Sequence, residues 1–215
     1  MIKLSSENEN VQNFLDFVHS QLKKNKFKLV LSLDDLKIGK NSVGGYFDEE
    51  NKEIVISIND SEWLSILVHE FNHFLQFINN TEKYRLLNDG DTDMLSEVWE
   101  WLDKEIEFPN IKRRDLVFKR VLEMELECEM NSVDMIKKFD LPINLDEYIY
   151  CAYVYLNYYN FCKKYRTWFL EDVKLADIVE IKDASIEFGG ISLDQKFNTL
   201  PKKFDEIFKK YSKTP

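Results

Sequence analysis

Residues 62–78 contain the feature that most limits how this chain can fold and what it can bind. Apolar residues recur there at three- and four-residue spacing, which predicts a largely buried helix. Residues 59–61 offer N-cap side chains before it, and residues 79–81 supply a stop signal. The polar exceptions include His69 and His73, so a helix would fix how these two side chains are arranged.

His69 and His73 are one helical turn apart, so both imidazoles project from the same face with Cβ atoms about 5 to 6 Å apart. This spacing suits two ligands of a single zinc ion. Glu70 lies beside this pair, where a carboxylate can take a proton from water. The chain has only 3 histidines, and two of them fall in this pattern, which argues against a chance occurrence. We assign no role to the third, His19.

Length and charge limit the classes of protein that this chain can belong to. Its 215 residues, 44% of them hydrophobic, suffice for one domain with a sizeable core. The net charge of -10 disfavours nucleic acid and anionic membrane as partners. The sequence has neither an apolar run of about 18 residues nor a hydrophobic signal core at its start. We therefore expect a soluble, cytoplasmic protein with reduced thiols, and the oligomeric state stays open.

The segments before the histidine helix predict a helix, a strand and a β-hairpin. The hairpin has a polar turn and leads directly into residues 62–78. Gly44 and Gly45 in its first arm either let another backbone approach an open strand edge or simply belong to a loop. The predicted elements are an amphipathic helix over 11–22 with apolar residues at 11, 14, 15, 18 and 22, a strand over 27–33, and hairpin arms over 43–47 and 53–58.

The rest of the chain is predicted to be mostly helical, which gives an α+β protein with predominantly helical content. The helix that follows 144 is crowded with tyrosines, for which core packing is the commoner explanation. A phenol near a metal site could also donate to an oxyanion, but no single tyrosine is indicated. A turn is expected at Gly189-Gly190, and helices are expected over 94–106 with Asp93 as N-cap, 110–139, 144–169 and 197–211.

The predicted helix over 110–139 carries a row of glutamates at alternate positions. At about 100° per residue, only Glu125 borders the apolar stripe of this helix. A zinc ion held by two histidines needs one more protein ligand if its fourth position is to stay open. Glu125 is therefore the best-aimed candidate in a row that comprises Glu123, Glu125, Glu127 and Glu129.

The motif of two histidines and a glutamate, His-Glu-x-x-His, followed by Glu125-Leu126-Glu127-Cys128-Glu129 resembles the gluzincin group of zinc metallopeptidases. That group includes the compact ImmA/IrrE-type proteins, minimal gluzincins and small phage-encoded members. The resemblance covers residues 43–139 and implies a hairpin, an active-site helix and a glutamate helix around one zinc. Glu129 stands where such families usually carry Asp or Asn, so it either contacts a ligand histidine or replaces Glu125 as ligand.

The resemblance implies a zincin-like fold and the activity of a zinc metalloprotease. In this interpretation His69, His73 and Glu125 hold zinc, and Glu70 is the general base for hydrolysis of a peptide or protein substrate. One alternative is a catalytically silent zincin-like binding or structural protein, although the intact Glu70 argues against it because a structural site needs no base. Another is a non-peptidase hydrolase with the same water chemistry.

The expected organisation is a single zincin-like domain over residues 1–215. Its core is predicted over about residues 25–140, with a hairpin or small sheet before the active-site helix. Residues 141–215 are predicted to form a C-terminal helical extension. No repeat or low-complexity linker marks an internal boundary.

Overall fold

The computed structural model shows two compact units, each formed by two separate stretches of the chain. Unit 1 comprises Met1–Thr81 and Met130–Tyr148, and unit 2 comprises Glu82–Glu129 and Ile149–Pro215. Helices dominate both units, and unit 1 also contains a three-stranded sheet, so the predicted α+β, mostly helical class is confirmed. The structure describes residues 8–38, 41–89, 92–167, 193, 194, 197 and 200–211.

Unit 1 begins with the helix, strand and hairpin that the sequence predicts. The side chain of Asn8 caps the first helix by accepting hydrogen bonds from the backbone N–H groups of Asn10 and Val11. The elements are α1 (Glu9–Lys24), β1 (Lys28–Ser32), β2 (Leu36–Ile38), β3 (Asn41–Val43), β4 (Gly45–Asp48), β5 (Glu53–Ser57) and α2 (Trp63–Asn79).

The three-stranded sheet has the order β1-β5-β4. The hairpin pairs β4 with β5 in antiparallel register, with Gly45 opposite Ile56. On the other side of β5, β1 runs parallel to it, with Leu29 opposite Ile54. Strand β4 is therefore an edge among the described strands of this sheet. Strands β2 and β3 form a separate antiparallel pair.

Helices α1 and α2 pack on a core rich in phenylalanine. The residues of α1 predicted to be apolar and inward-facing, at positions 11, 14, 15, 18 and 22, are all buried. Phe14 meets Phe71 of α2 edge to face, with ring centroids 6.2 Å apart. The unit 1 stretch of residues 130–148 contributes Met135 and Ile136 to the same core. Unit 1 therefore closes its core with side chains from both of its stretches.

The ends of α2 match the predicted stop signal but not the predicted cap. Asn80 follows the helix with φ 48°, in the left-handed region that asparagine tolerates, and so terminates it. Glu62 occupies the N-cap position and makes no side-chain capping bond. The carboxylate of Asp60 instead accepts a hydrogen bond from the backbone N–H of Glu62. The N-cap predicted within 59–61 therefore lies one residue too early.

Unit 2 is built mainly from helices. As predicted, the Asp93 side chain caps one of them by accepting hydrogen bonds from the N–H groups of Leu95 and Ser96. The elements are α3 (Glu82–Arg85), β6 (Asn88–Asp89), β7 (Thr92–Asp93), α4 (Met94–Leu102), α5 (Ile111–Phe139), α6 (Leu145–Tyr165) and α7 (Lys202–Tyr211). Helix α5 starts in unit 2 and ends in unit 1, whereas α6 starts in unit 1 and ends in unit 2.

Helices α4, α6 and α7 are shorter than predicted, for local reasons. Lys104 and Arg166 have left-handed backbones with φ 66° and 51°, which end α4 and α6 close to Leu102 and Tyr165. Pro201 comes immediately before α7 and favours a helix start at that point rather than at 197. The predicted turn at Gly189-Gly190 lies outside the described residues. No helix in the described part of the chain is long and apolar enough to cross a membrane.

Candidate metal centre

Helix α2 brings His69 and His73 together, as their spacing predicts. The two Nε2 atoms are 3.0 Å apart, and the rings meet nearly perpendicularly, at 85°. Buried Val68, Phe71 and Phe74 hold the helix against the core, while the imidazoles are half-buried. The helix therefore presents two ring nitrogens at one point on its surface.

The separation of the two histidine nitrogens fits a shared metal ion. Zinc–nitrogen bonds of about 2.0 to 2.1 Å place two ligand nitrogens about 3.3 Å apart in a tetrahedral site. The observed 3.0 Å between His69 Nε2 and His73 Nε2 is within a few tenths of an ångström of that value. Small rotations of the two rings are enough to close the difference. This donor pair consequently fits zinc, a borderline ion that favours imidazole.

Gln76 holds the ring of His73 from the side opposite Nε2. The Oε1 atom of Gln76 lies 3.0 Å from Nδ1 of His73. An amide oxygen only accepts hydrogen bonds, so this contact is a hydrogen bond in the tautomer that carries the ring proton on Nδ1. Nε2 of His73 then keeps its lone pair, which is the form of histidine that binds a metal.

Asn72 ties the histidine segment to the end of α5 that belongs to unit 1. Its Nδ2 atom donates to the carbonyl oxygen of Val68 at 2.9 Å and to Oγ of Ser132 at 3.1 Å. Asn72 and Ser132 are both buried, so a lost partner would leave a desolvated polar group. The contact with Ser132 leaves α2 and so restrains the rotation of this helix about its axis, and with it the direction of both imidazoles.

Glu70 projects from α2 next to His69 and is half-buried. Among the described residues, none forms a hydrogen bond or an ion pair with its carboxylate. A carboxylate of this kind is available to accept a proton from water beside the two histidines. The structure thus brings His69, Glu70 and His73 together on one helix.

Glu125 lies on α5 within unit 2 and is almost completely buried, with 6% of its surface exposed. The hydroxyl of Tyr159 on α6 donates to its Oε1 atom at 3.1 Å. Burial, and then the charge of Glu125, raise the pKa of Tyr159 well above its ordinary value. The phenol therefore stays protonated and can act as a permanent hydrogen-bond donor. The neighbouring hydroxyl of Tyr155 is 3.4 Å from that of Tyr159.

The prediction that only Glu125 borders the buried face of α5 is wrong, because Glu129 is buried to the same extent, at 5%. The stripe judged from the sequence was too narrow, since Phe118 and Val133 also face inward and widen it toward Glu129. Glu123 instead pairs with Arg120 at 3.0 Å. The row of four glutamates thus contains two buried carboxylates rather than one.

Several residues around the predicted ligands were not identified from the sequence. A polar residue on an apolar helix, one turn after a ligand, is the signal that would have found Gln76. Ser132 and Cys128 follow Glu125 at helical spacing on the same face, but neither was proposed from the sequence as a ligand. Tyr159 has no comparable signal, because its helix carries tyrosines on more than one face.

The two hairpin glycines are required for close packing between the sheet and α2. A Cβ atom on Gly45 would lie 2.8 Å from Cγ2 of Ile66 and 2.8 Å from the carbonyl oxygen of Val55. A Cβ atom on Gly44 would meet Cδ1 of the same Ile66. The edge strand β4 consequently packs directly on the helix that carries the histidines.

Comparisons with known proteins found no match, so inferences about function depend on the site. No protein-family model matches the chain, and neither a curated protein nor a solved structure matches it. The observations that bear on function are therefore the donor pair on α2, the carboxylate beside it, and the buried carboxylates on α5.

Proposed function

We propose that this protein is a zinc-dependent hydrolase of zincin-like fold that cleaves peptide bonds. The observation that carries the proposal is the 3.0 Å separation of His69 Nε2 and His73 Nε2, with Glu70 next to His69 on the same helix. Two converging imidazoles and an adjacent carboxylate are the parts that metal-assisted hydrolysis requires. We also propose a cytoplasmic location, where cysteine thiols stay reduced.

In this proposal Glu125 is the third ligand. Glu125, Cys128, Glu129 and Ser132 share one face of α5, because each lies three or four residues from two of the others. All four are buried, so both carboxylates lie on the inward-facing side of this helix. A carboxylate ligand leaves a fourth coordination position for water, as a hydrolytic site needs. Glu129 is the alternative ligand, or else it orients a ligand histidine through a hydrogen bond.

Zinc, when bound, would lower the pKa of a coordinated water molecule and polarise the carbonyl group to be cleaved. Glu70 would take the proton of the attacking water and deliver it to the departing amine nitrogen. Its position beside the ligands, rather than among them, leaves its carboxylate available for both transfers. Tyr159 would orient Glu125 through the hydrogen bond of its hydroxyl group.

The sheet supports a peptide as the substrate class. Strand β4 is an edge among the described strands and packs against α2. An extended peptide can add to such an edge by main-chain hydrogen bonds, which bind a backbone irrespective of most side chains. The same geometry gives no particular support to a substrate without a peptide backbone, so non-peptidase hydrolysis is the less favoured form of this chemistry.

The test compares zinc content and peptide cleavage in the wild type and Glu70→Gln. The variant is expected to keep zinc and fold but to lose cleavage by at least about 100-fold, because an amide cannot take the proton. Glu62→Gln makes the same chemical change at the exposed start of α2 and should cleave like the wild type. Elemental analysis and a diverse peptide library are the measurements.

Two results would refute this proposal. One is a wild-type protein that binds no zinc under conditions in which it is folded. The other is a zinc-loaded wild type whose cleavage of peptides does not depend on Glu70, since equal cleavage by both proteins indicates a contaminating protease. His69→Ala and His73→Ala should each abolish stoichiometric zinc, because too few donors would be left.

A second candidate function is a zincin-like binding or structural protein, and the chemistry of one cysteine favours it. In this candidate Cys128, which is buried on the same face of α5 as Glu125, would be the third ligand beside His69 and His73. Thiolate ligands are common in structural zinc sites. Cobalt substitution separates the two functions, because a thiolate ligand gives a sulfur-to-cobalt charge-transfer band that disappears in Cys128→Ala. In a carboxylate site that band is absent, and Glu125→Gln should be the variant that weakens binding sharply.

A further inference from the structure

We propose that Gln76 is the positioning residue that selects the metal-binding tautomer of His73, an inference that rests on the proposed function. Oε1 of Gln76 and Nδ1 of His73 are 3.0 Å apart. The two residues are three positions apart on α2, so the same helix fixes both side chains. The proposed function assigns no role to Gln76.

The environment of Gln76 makes this contact specific. Its side chain is only 1% exposed, so bulk water cannot easily take the place of the amide oxygen as acceptor. Its backbone carbonyl accepts hydrogen bonds from Asn80 and Thr81, which end the helix. The residue is therefore held at both its backbone and its side chain, and the ring of His73 is held with it.

The tautomer follows from the chemistry of the acceptor. Because the oxygen accepts, Nδ1 of His73 carries the proton and Nε2 holds the lone pair. That lone pair faces Nε2 of His69, at 3.0 Å, which is where a shared ion would lie. Without an acceptor beside Nδ1, the proton could reside on either nitrogen, and part of the population would present an N–H to the ion. Ordering that choice in advance strengthens metal binding.

Gln76→Met is the informative variant, because methionine has a similar length and shape but lacks the amide oxygen. We expect zinc affinity to fall by about 10 to 100-fold, the usual effect of losing a hydrogen-bond partner of a ligand. In Gln76→Glu a carboxylate restores an acceptor, so zinc should bind at least as tightly as in the wild type. Chelator competition measures the affinities, and circular dichroism verifies the fold.

Nitrogen-15 NMR of the metal-free protein gives the readout that a merely structural role would not change. At about pH 8.5, above the ordinary histidine pKa of about 6.5, both rings are neutral and their tautomers are distinguishable. We expect His73 to be protonated at Nδ1 in the wild type and in Gln76→Glu, and to be a tautomer mixture in Gln76→Met.

A folded Gln76→Met protein with wild-type zinc affinity, or with His73 still fully protonated at Nδ1, would overturn the inference. If Gln76→Met does not fold, the test relies on Gln76→Glu. A folded Gln76→Glu protein in which His73 has lost the Nδ1 proton, or which binds zinc about ten-fold more weakly than the wild type, would contradict the inference. A wild type without zinc binding would instead refute the proposed function, while the tautomer comparison would still show whether Gln76 orders His73.

Discussion

Replacing Tyr159 by phenylalanine removes one hydroxyl from a buried pair and leaves the ring that fills the space. The hydroxyl donates to Oε1 of Glu125 at 3.1 Å, and both residues are nearly inaccessible to water. A phenylalanine at this position keeps the apolar contacts of the ring. The change in stability therefore reports on the hydrogen bond rather than on packing.

The magnitude of the loss follows from the type of bond. A hydrogen bond to a charged group contributes about 1.5 to 3 kcal/mol, because the acceptor would otherwise be buried with one partner fewer. The contact between the hydroxyls of Tyr155 and Tyr159 is longer, at 3.4 Å, and joins neutral groups. Tyr155→Phe should consequently cost less than about 1 kcal/mol. The two variants make the same chemical change on the same helix and are matched controls.

Urea unfolding of the metal-free proteins, followed by tryptophan fluorescence, measures both variants. We expect Tyr159→Phe to lower the free energy of unfolding by about 1.5 to 3 kcal/mol with an unchanged dependence on urea. A loss below about 0.5 kcal/mol, or a larger loss in Tyr155→Phe, would show that the hydroxyl of Tyr159 does not stabilise Glu125.

The hydrogen bond between Tyr159 and Glu125 also makes the stability of the protein depend on pH. Because the pKa of Tyr159 is raised in the folded state, its hydroxyl contributes fully to stability at pH values below the ordinary tyrosine pKa of about 10. This contribution is lost as pH rises through the higher pKa of the folded state. The stability of the wild type should therefore fall at alkaline pH. Tyr159→Phe should remove part of that fall, and an unchanged alkaline slope would contradict the assignment.

Three further predictions concern the scaffold. Gly45→Ala should lower the free energy of unfolding by about 1 to 3 kcal/mol, because the added methyl group overlaps Ile66; thermal denaturation measures it. Asp93→Ala should lower it by about 1 kcal/mol through loss of the N-cap of α4, measured by urea unfolding. Asp205→Asn should destabilise the protein at neutral pH, and the difference from the wild type should vanish as pH falls through the lowered pKa of Asp205. Burial raises that pKa, but hydrogen bonds from Lys164 and other donors outweigh it. Unfolding measured at several pH values tests the last prediction.

Each of these predictions has a result that contradicts it. A Gly45→Ala protein as stable as the wild type would mean that Ile66 rearranges without cost. An Asp93→Ala protein of unchanged stability would show that water replaces the cap. A difference between wild type and Asp205→Asn that does not shrink as pH falls below the ordinary aspartate pKa of about 3.9 would exclude the carboxylate charge as its origin.

Local patterns were sufficient for the helices and the hairpin. The inward-facing positions of α1 were predicted completely, because an amphipathic helix repeats its apolar residues at a fixed period. The hairpin of β4 and β5 was also predicted, since its two arms are adjacent in the chain. The arrangement of His69 and His73 could also be predicted from a local pattern, because one helical turn determines its geometry.

Contacts between distant parts of the chain could not be read from these patterns. The strand β1 was predicted, but its parallel pairing with β5 depends on how the chain crosses over. The bond from Tyr159 to Glu125 joins residues 34 positions apart, and several tyrosines on α6 were equally good candidates. The burial of Glu129 was missed because the width of an apolar stripe depends on how many neighbours surround the helix.

Unit 1 consists of two stretches of chain, and this affects when it can form during synthesis. The first stretch ends at Thr81, but Met135 and Ile136 of its core belong to the second. Ser132, which receives the hydrogen bond of Asn72, also comes from the second stretch. After α2 has been synthesised, about fifty further residues must therefore be added, at roughly 5 to 20 residues per second, before this helix makes all of its supporting contacts. Until then its apolar face needs protection, so a chain truncated at residue 129 should bind holding chaperones and aggregate rather than form a smaller folded protein.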